Sequence, residues 1–243
     1  MNIIILVLAL SMVLLQSAIA KETSLEYFNK RQEAMKKKYG KNVQGVLGID
    51  ISEKCYPDHF KCLKNDGYKF AVVRCFRSVG SVDTNCPHTI YNAWEGGMEH
   101  VDAYIFPCPH CAGSKNGTQQ VTEMINYIRS YNAKIGMIWL DIEGAQYWNA
   151  NTNTNRQFFL EMVQGAAKAG VHAGVYTQKW FWEQNFGGNW DVSQYNMPVW
   201  YAHYDNKKSF ADFQPFGGWK EPAVKQYAGD VSGCGCSFDA NVY

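Results

Sequence analysis

The sequence carries almost no net charge, with 23 Lys and Arg against 22 Asp and Glu, a formal +1 at pH 7. Without a basic excess it has no electrostatic footprint for nucleic acid. No internal repeat or low-complexity tract is present, which sets aside fibrous architectures. No Gly-x-Gly-x-x-Gly follows the first apolar run, so a dinucleotide-binding fold lacks its signature. No Gly-x-Ser-x-Gly elbow marks a serine hydrolase. The six histidines form no metal-spacing motif. Beyond residue 20, no stretch is long and apolar enough to span a bilayer.

What is present is apolar and aromatic. Hydrophobic residues make up 47% and aromatics 15% of 243 residues, enough to bury a sizeable core and incompatible with disorder. Charge is unevenly spread. Residues 21–44 hold seven Lys or Arg and three Asp or Glu, a net +4, leaving 45–243 at −3. Ile3 to Leu15 is an apolar run, followed by Ala18-Ile19-Ala20. Small residues at the −3 and −1 positions read as a signal peptide cut after Ala20, and the run is short for a membrane anchor. Export to the exterior, or to a lysosomal or phagosomal lumen, is the expectation. Cysteine usage agrees with it. Cys55, Cys62, Cys75, Cys86, Cys108, Cys111, Cys234 and Cys236 form an even set, most simply a disulfide framework whose pairing the sequence leaves open. Asn116-Gly117-Thr118 is the one glycosylation sequon.

Residues 22–39 have helical character, with Leu25, Phe28 and Met35 as sparse apolar points among charges. A solvated, loosely docked helix is expected there. From Gly45 onward, short apolar, β-branched runs end in polar or acidic residues. They cover 46–50, 70–75, 103–106, 136–141, 171–176, 199–202, 223–226 and, least clearly, 238–242. Helical stretches near 58–66, 88–99, 118–131 and 155–169 separate the first five. Strand alternating with helix predicts a parallel sheet, and continuous apolar strands predict burial on both faces. The expected fold is α/β: a modified TIM-type barrel of about eight strands and five helices, irregular in its last third. The expected domains are the signal peptide 1–20, the basic extension 21–44 and a barrel over 45–243.

Parallel barrels place their chemistry at the carboxyl ends of strands. The run Ile135 to Leu140 leads straight into Asp141-Ile142-Glu143-Gly144. Residues two apart on a strand share a face, about 6.5–7 Å apart, so Asp141 and Glu143 both project into the mouth. Asp50 ends the first run in a carboxylate, and near the carboxyl terminus Asp239 does so again. Clustered carboxylates in a poorly hydrated cleft cannot all ionise, so at least one pKa rises. One protonated acid beside charged neighbours is what glycoside cleavage requires. Aromatics follow the same strand ends, among them Tyr104, Trp139, Tyr176, Trp200, Tyr204 and Tyr227. Their faces suit the C–H faces of sugar rings.

These residues resemble glycoside hydrolase family 25, the Chalaropsis-type lysozymes, in its secreted eukaryotic branch. The resemblance covers roughly 45–243. It rests on Gly48-Ile49-Asp50-Ile51-Ser52, Gly67-Tyr68-Lys69-Phe70, Val73-Arg74 and Trp139-Leu140-Asp141-Ile142-Glu143. It continues through Gly174-Val175-Tyr176-Thr177, Trp200-Tyr201-Ala202-His203-Tyr204, Gln226-Tyr227 and Asp239-Ala240-Asn241. It implies a lysozyme that hydrolyses the β-1,4 bond between N-acetylmuramic acid and N-acetylglucosamine in bacterial peptidoglycan. By position, Glu143 matches the general acid. Asp141 matches the acid that orients the 2-acetamido group or stabilises the transition state, and Asp50 and Asp239 match the remaining acidic positions. Tyr104, Tyr176, Trp200 and Tyr204 match cleft aromatics, and Trp139 and Gln226 complete the substrate-binding candidates. No cofactor, metal, nucleic acid or membrane insertion is implied, and a monomer is expected.

Other readings remain open on sequence. Cys108-Pro109-His110-Cys111 is a C-x-x-C, although no helix N-terminus follows closely enough to depress a thiol pKa. Cys108, Cys111, Cys234 and Cys236 could form a four-thiolate zinc site. A non-catalytic peptidoglycan-binding lectin could use the same aromatic cleft.

Overall fold

A computed structural model of the chain describes residues 22–39, 45–111 and 113–243; the apolar run and the expected cleavage after Ala20 lie outside them. Eight strands close a barrel. They are β1 (Leu47–Ile51), β2 (Phe70–Arg77), β4 (His100–Ile105), β5 (Ile138–Ile142), β6 (Ala173–Thr177), β7 (Val199–Ala202), β8 (Val224–Gly233) and β9 (Cys236–Val242). The two-residue β3 (Ser81–Val82) pairs only with the end of β2. Six helices are described: α1 (Ser24–Tyr39), α2 (Pro57–Asn65), α3 (Cys86–Glu95), α4 (Gly117–Ser130), α5 (Thr152–Ala169) and α6 (Lys179–Phe186).

Neighbouring strands are parallel from β1 through β8, whereas β9 runs antiparallel to both β8 and β1. A tight turn joins β8 to β9, which excludes a crossover helix and forces the reversal. Asp239 therefore does not end its strand, as the sequence suggested. It lies within β9, paired in register with Asp50 at the end of β1.

The strands read as unbroken apolar runs because both faces are buried. Ile49, Val73, Ala103, Leu140 and Val175 point outward and pack with Leu63, Ile90, Met124, Phe159 and Trp182 of the helices. Phe70, Val72, Met137, Trp139, Trp200 and Val224 fill the interior. Two inward positions admit only glycine. A Cβ on Gly174, paired with Trp139, would lie 2.4 Å from that indole, and one on Gly48 would lie 2.2 Å from the ring of Phe70. Small residues facing large rings let a narrow barrel fill without voids.

Helix α1 departs from the expectation of loose docking. It opens with a capping box: the Thr23 amide donates to Glu26 Oε2 (2.8 Å) and the Glu26 amide to Thr23 Oγ1 (3.2 Å). It then crosses the amino-terminal end of the barrel, burying Phe28 and Met35 against the interior cluster. Phe28 meets Trp139 and Tyr243 edge-on. Arg31, on the same helix face, makes a two-pronged pair with buried Asp102 of β4 at 2.7 Å and 2.7 Å. The sparse apolar spacing looked solvated because the helix buries only one narrow stripe.

Four disulfides use every cysteine. Cys55–Cys236 and Cys62–Cys234 tie the segment before α2 and the body of α2 to the β8–β9 hairpin, Cys75–Cys86 ties β2 to α3, and Cys108–Cys111 closes a turn after β4. The four-thiolate grouping does not form, since its members are bonded in three separate bridges.

Candidate active site

Inward-facing positions change character toward the carboxyl ends of the strands. Along β5, Met137 and Trp139 are followed on the same face by Asp141, and then by Glu143 just past the strand. The end of β5 is fixed from two sides. Thr177 Oγ1 donates to the Ile142 carbonyl (2.7 Å) and Trp148 Nε1 to the Glu143 carbonyl (3.1 Å). Gly144 turns the chain away at φ 59°.

Asp50 and Asp239 are clamped together. Gln226 Nε2 donates to Asp50 Oδ2 (2.7 Å) and to Asp239 Oδ2 (3.1 Å). Its Oε1 accepts from the hydroxyls of Tyr176 (2.7 Å) and Tyr204 (2.8 Å). Asn241 Nδ2 donates a further bond to Asp50 Oδ2 (2.7 Å), while its Oδ1 accepts from Trp200 Nε1 (2.8 Å). The Asp230 amide donates to Asp239 Oδ1 (2.7 Å). Asp141 is different. It is buried, yet its Oδ1 has no hydrogen-bond partner among the described residues. An unsatisfied buried oxygen calls for an explanation such as an absent ligand.

All four carboxyls sit above the ordinary carboxylate range. Burial is the main cause for Asp50, with Asp239 adding to it and the bonds from Asn241 and Gln226 opposing it. Burial also dominates at Asp141, followed by the charges of Glu143 and Asp50, with the Arg74 guanidinium pulling the other way. At Glu143 the causes are burial and then Asp239; at Asp239 burial again leads. Burial likewise raises the phenols of Tyr104 and Tyr176, which stay neutral. Arg74 is held at the rim by Asp83 Oδ2 (2.8 Å) and the Ser52 carbonyl (2.8 Å).

A cavity of about 180 Å³ opens beside Asp50 and Asp239, lined by them and Tyr104 together with Ser52, Glu53, Asp230, Ser237 and Phe238; Asp141 and Glu143 do not line it. The structure thus brings Asp50, Asp141, Glu143, Asp239 and Tyr104 to one end of the barrel, with Tyr204 half exposed at its edge. Four residues expected to bind substrate, Trp139, Trp200, Gln226 and Tyr176, are buried and bonded within the protein. Trp139 lies below the cleft, with Nε1 donating to Asp102 Oδ2 (3.1 Å), and Trp200 is spent on Asn241. Gln226 is 2% exposed and all its polar capacity is used inside the protein. It supports the acids rather than offering itself to a ligand. Tyr176 is likewise 7% exposed and serves as floor. Asn241 and Arg74 were absent from the sequence-derived site, although each shares the inward face with a predicted acid or strand end.

Comparison with known proteins bears on the family and the fold. The family described as Lysozyme-like protein 1 matches residues 41–227. A Dictyostelium discoideum protein named probable GH family 25 lysozyme 2 is 47% identical over 84% of this chain and 93% of its own length. The chain belongs to glycoside hydrolase family 25. It is a lysozyme-type glycoside hydrolase, and the barrel is that of its family. The bacterial lysozyme of Streptomyces coelicolor superposes with TM-score 0.64 at 22% identity, covering 82% of this chain and 92% of that one. The family 25 lysozyme of Aspergillus fumigatus gives 0.63 at 21%, covering 80% and 92%. At those identities the likeness is one of fold. Within this family 25 chain, the cleft residues therefore have to be assigned roles from their own chemistry.

Proposed function

We propose that this lysozyme cleaves the β-1,4 bond between N-acetylmuramic acid and N-acetylglucosamine in bacterial peptidoglycan, with Glu143 as proton donor and Asp141 as its partner. The observation that carries the assignment is the contrast between the two acids two residues apart on β5. Glu143 lies half-buried at the mouth, where burial and then Asp239 raise its carboxyl above the usual range while solvent can still reload it. Asp141 lies deeper, buried, and its Oδ1 has no hydrogen-bond partner among the described residues. In the reaction, the Glu143 proton passes to the glycosidic oxygen as the bond to C1 breaks. Asp141, whose carboxyl is raised by burial and by the charges of Glu143 and Asp50 against the opposing pull of Arg74, accepts the substrate's acetamido N–H or stabilises positive charge at the anomeric centre. Asp239, tethered to Asp50 through Gln226, adds to burial in raising the Glu143 carboxyl.

Four disulfides support an oxidising compartment, either outside the cell or in a lysosomal or phagosomal lumen. No described helix is long and apolar enough to cross a membrane. The test is digestion of purified peptidoglycan by wild type and Glu143→Gln, with borohydride reduction and mass analysis of the fragments. Wild type releases fragments ending in reduced muramic acid; the variant loses at least about 100-fold in rate, the usual worth of a positioned acid. A variant retaining more than a tenth of the rate removes Glu143 from its role. Binding without release by wild type would make the cleft a lectin site.

A further inference from the structure

A second charged cluster lies just outside the cleft, and the chemistry proposed above does not use it. Lys225 is fully buried on the outer face of β8, beside Tyr201 of β7. Its ammonium has three hydrogens to donate, and three acceptors meet it: Asp212 Oδ1 (2.8 Å), Asp205 Oδ1 (2.9 Å) and the Ser209 carbonyl (3.1 Å). All three belong to the segment that follows β7. Asp212 is tied further, by the Tyr201 hydroxyl (3.1 Å) and by His203 Nδ1 (2.5 Å).

Burying a lysine is costly unless its charge is fully met, and an apolar side chain would satisfy the packing of that barrel face. What the lysine adds is a fixed position for the segment 203–212. That segment carries Tyr204, placed between His203 and the clamped Asp205. Tyr204 is 54% exposed. Its hydroxyl reaches Gln226, the residue that bridges Asp50 and Asp239, and its ring passes over Gly229. Lys225 and Gln226 are consecutive and face opposite ways, so one strand holds the acids on the inside and the loop on the outside.

We infer that Lys225 is a positioning residue that, by gripping Asp205, Ser209 and Asp212, holds Tyr204 as an aromatic wall of the cleft for a sugar ring. The inference rests on the lysozyme reading of that cleft. Lys225 touches no substrate; its influence runs through Tyr204. The two residues therefore cannot contribute independently.

The test is a cycle on the full chain between Tyr204→Ala and the triple Lys225→Met/Asp205→Asn/Asp212→Asn, which removes all three charges, with kcat and KM measured on purified peptidoglycan. Each arm raises KM by about tenfold, the scale of one lost stacking and hydrogen-bonding contact. The combined variant is no worse than Tyr204→Ala alone. Effects that multiply, or a triple with unaltered KM, overturn the inference. Hydrogen exchange supplies a readout free of activity: amides of 203–212 lose protection in the triple while those of β6 and β7 keep theirs. If wild type releases no fragments, the lysozyme reading fails and exchange still decides the latch; unchanged protection overturns it. Should the triple not fold, Asp205→Asn alone removes one acceptor and shifts KM in the same direction by about twofold.

Discussion

Arg31→Met tests how firmly the leading helix belongs to the barrel. The guanidinium and carboxylate of the Arg31–Asp102 pair are 8% and 2% exposed and meet through two 2.7 Å bonds. Asp102 also accepts from the Met137 amide (3.1 Å) and Trp139 Nε1 (3.1 Å). Those two donors are neutral and remain after the substitution, so the carboxylate would stay buried without its cation. Removing one partner of such a pair costs about 3–5 kcal/mol. For a chain of this size that is a fall in Tm of roughly 6–20 °C. Methionine keeps the length and apolar stem, so the loss reports the charge rather than a cavity. The assay is urea unfolding followed by far-UV circular dichroism, with Tm from calorimetry. Arg31→Met/Asp102→Asn removes both charges and should recover at least half of the loss. A single variant that loses less than about 1 kcal/mol, the range of exposed ion pairs, would refute the argument and return α1 to a loosely held helix.

Other outcomes follow from the same geometry. The four cleft carboxyls have pKa values raised in the fold and return to the ordinary range on unfolding. Between those values the unfolded chain has released protons that the fold retains, so stability falls as pH rises through that window. Asp141→Asn therefore raises Tm at pH 7 and leaves it unchanged near pH 4, the ordinary carboxylate pKa, while activity is severely reduced. Calorimetry at the two pH values checks the first part, and an unchanged Tm at pH 7 would contradict it. Gly174→Ala, whose Cβ would lie 2.4 Å from Trp139, should cost about 1–3 kcal/mol in urea unfolding. Gln226→Leu removes the donor shared by Asp50 and Asp239, so the acid limb of the kcat/KM pH profile should move to higher pH. A limb that stays in place while the rate falls would make Gln226 merely structural.

Much of the fold was legible because its signals are local. Unbroken apolar runs announced two-sided burial, and the i, i+2 spacing put Asp141 and Glu143 on one face. The helix α6 escaped notice because its aromatics, Trp180, Phe181, Trp182 and Phe186, make no clear amphipathic stripe; Trp182 and Phe186 are buried while Trp180 is exposed. The direction of β9 escaped too. A strand's residues state that it is buried, and only the short turn before it states which way it must run. Lys225 gave no sequence signal, since a lysine within an otherwise apolar strand finds its acceptors in a loop that folds back over it.

Sequence alone determined the barrel, its acidic end and the pair on β5, because these depend on alternation along a single strand. Tertiary structure decided depth. Trp139, Asp141 and Glu143 share one face, yet the first is core, the second a buried acid and the third a reachable one. That ordering comes from how far neighbouring strands are staggered around the closed sheet. The same stagger sets Asp50 against Asp239 and brings Gln226 within reach of both. It turned Trp200 and Gln226 from ligands of the substrate into supports for the acids. Register between strands is fixed by packing across the whole barrel, and no single segment of the chain contains it.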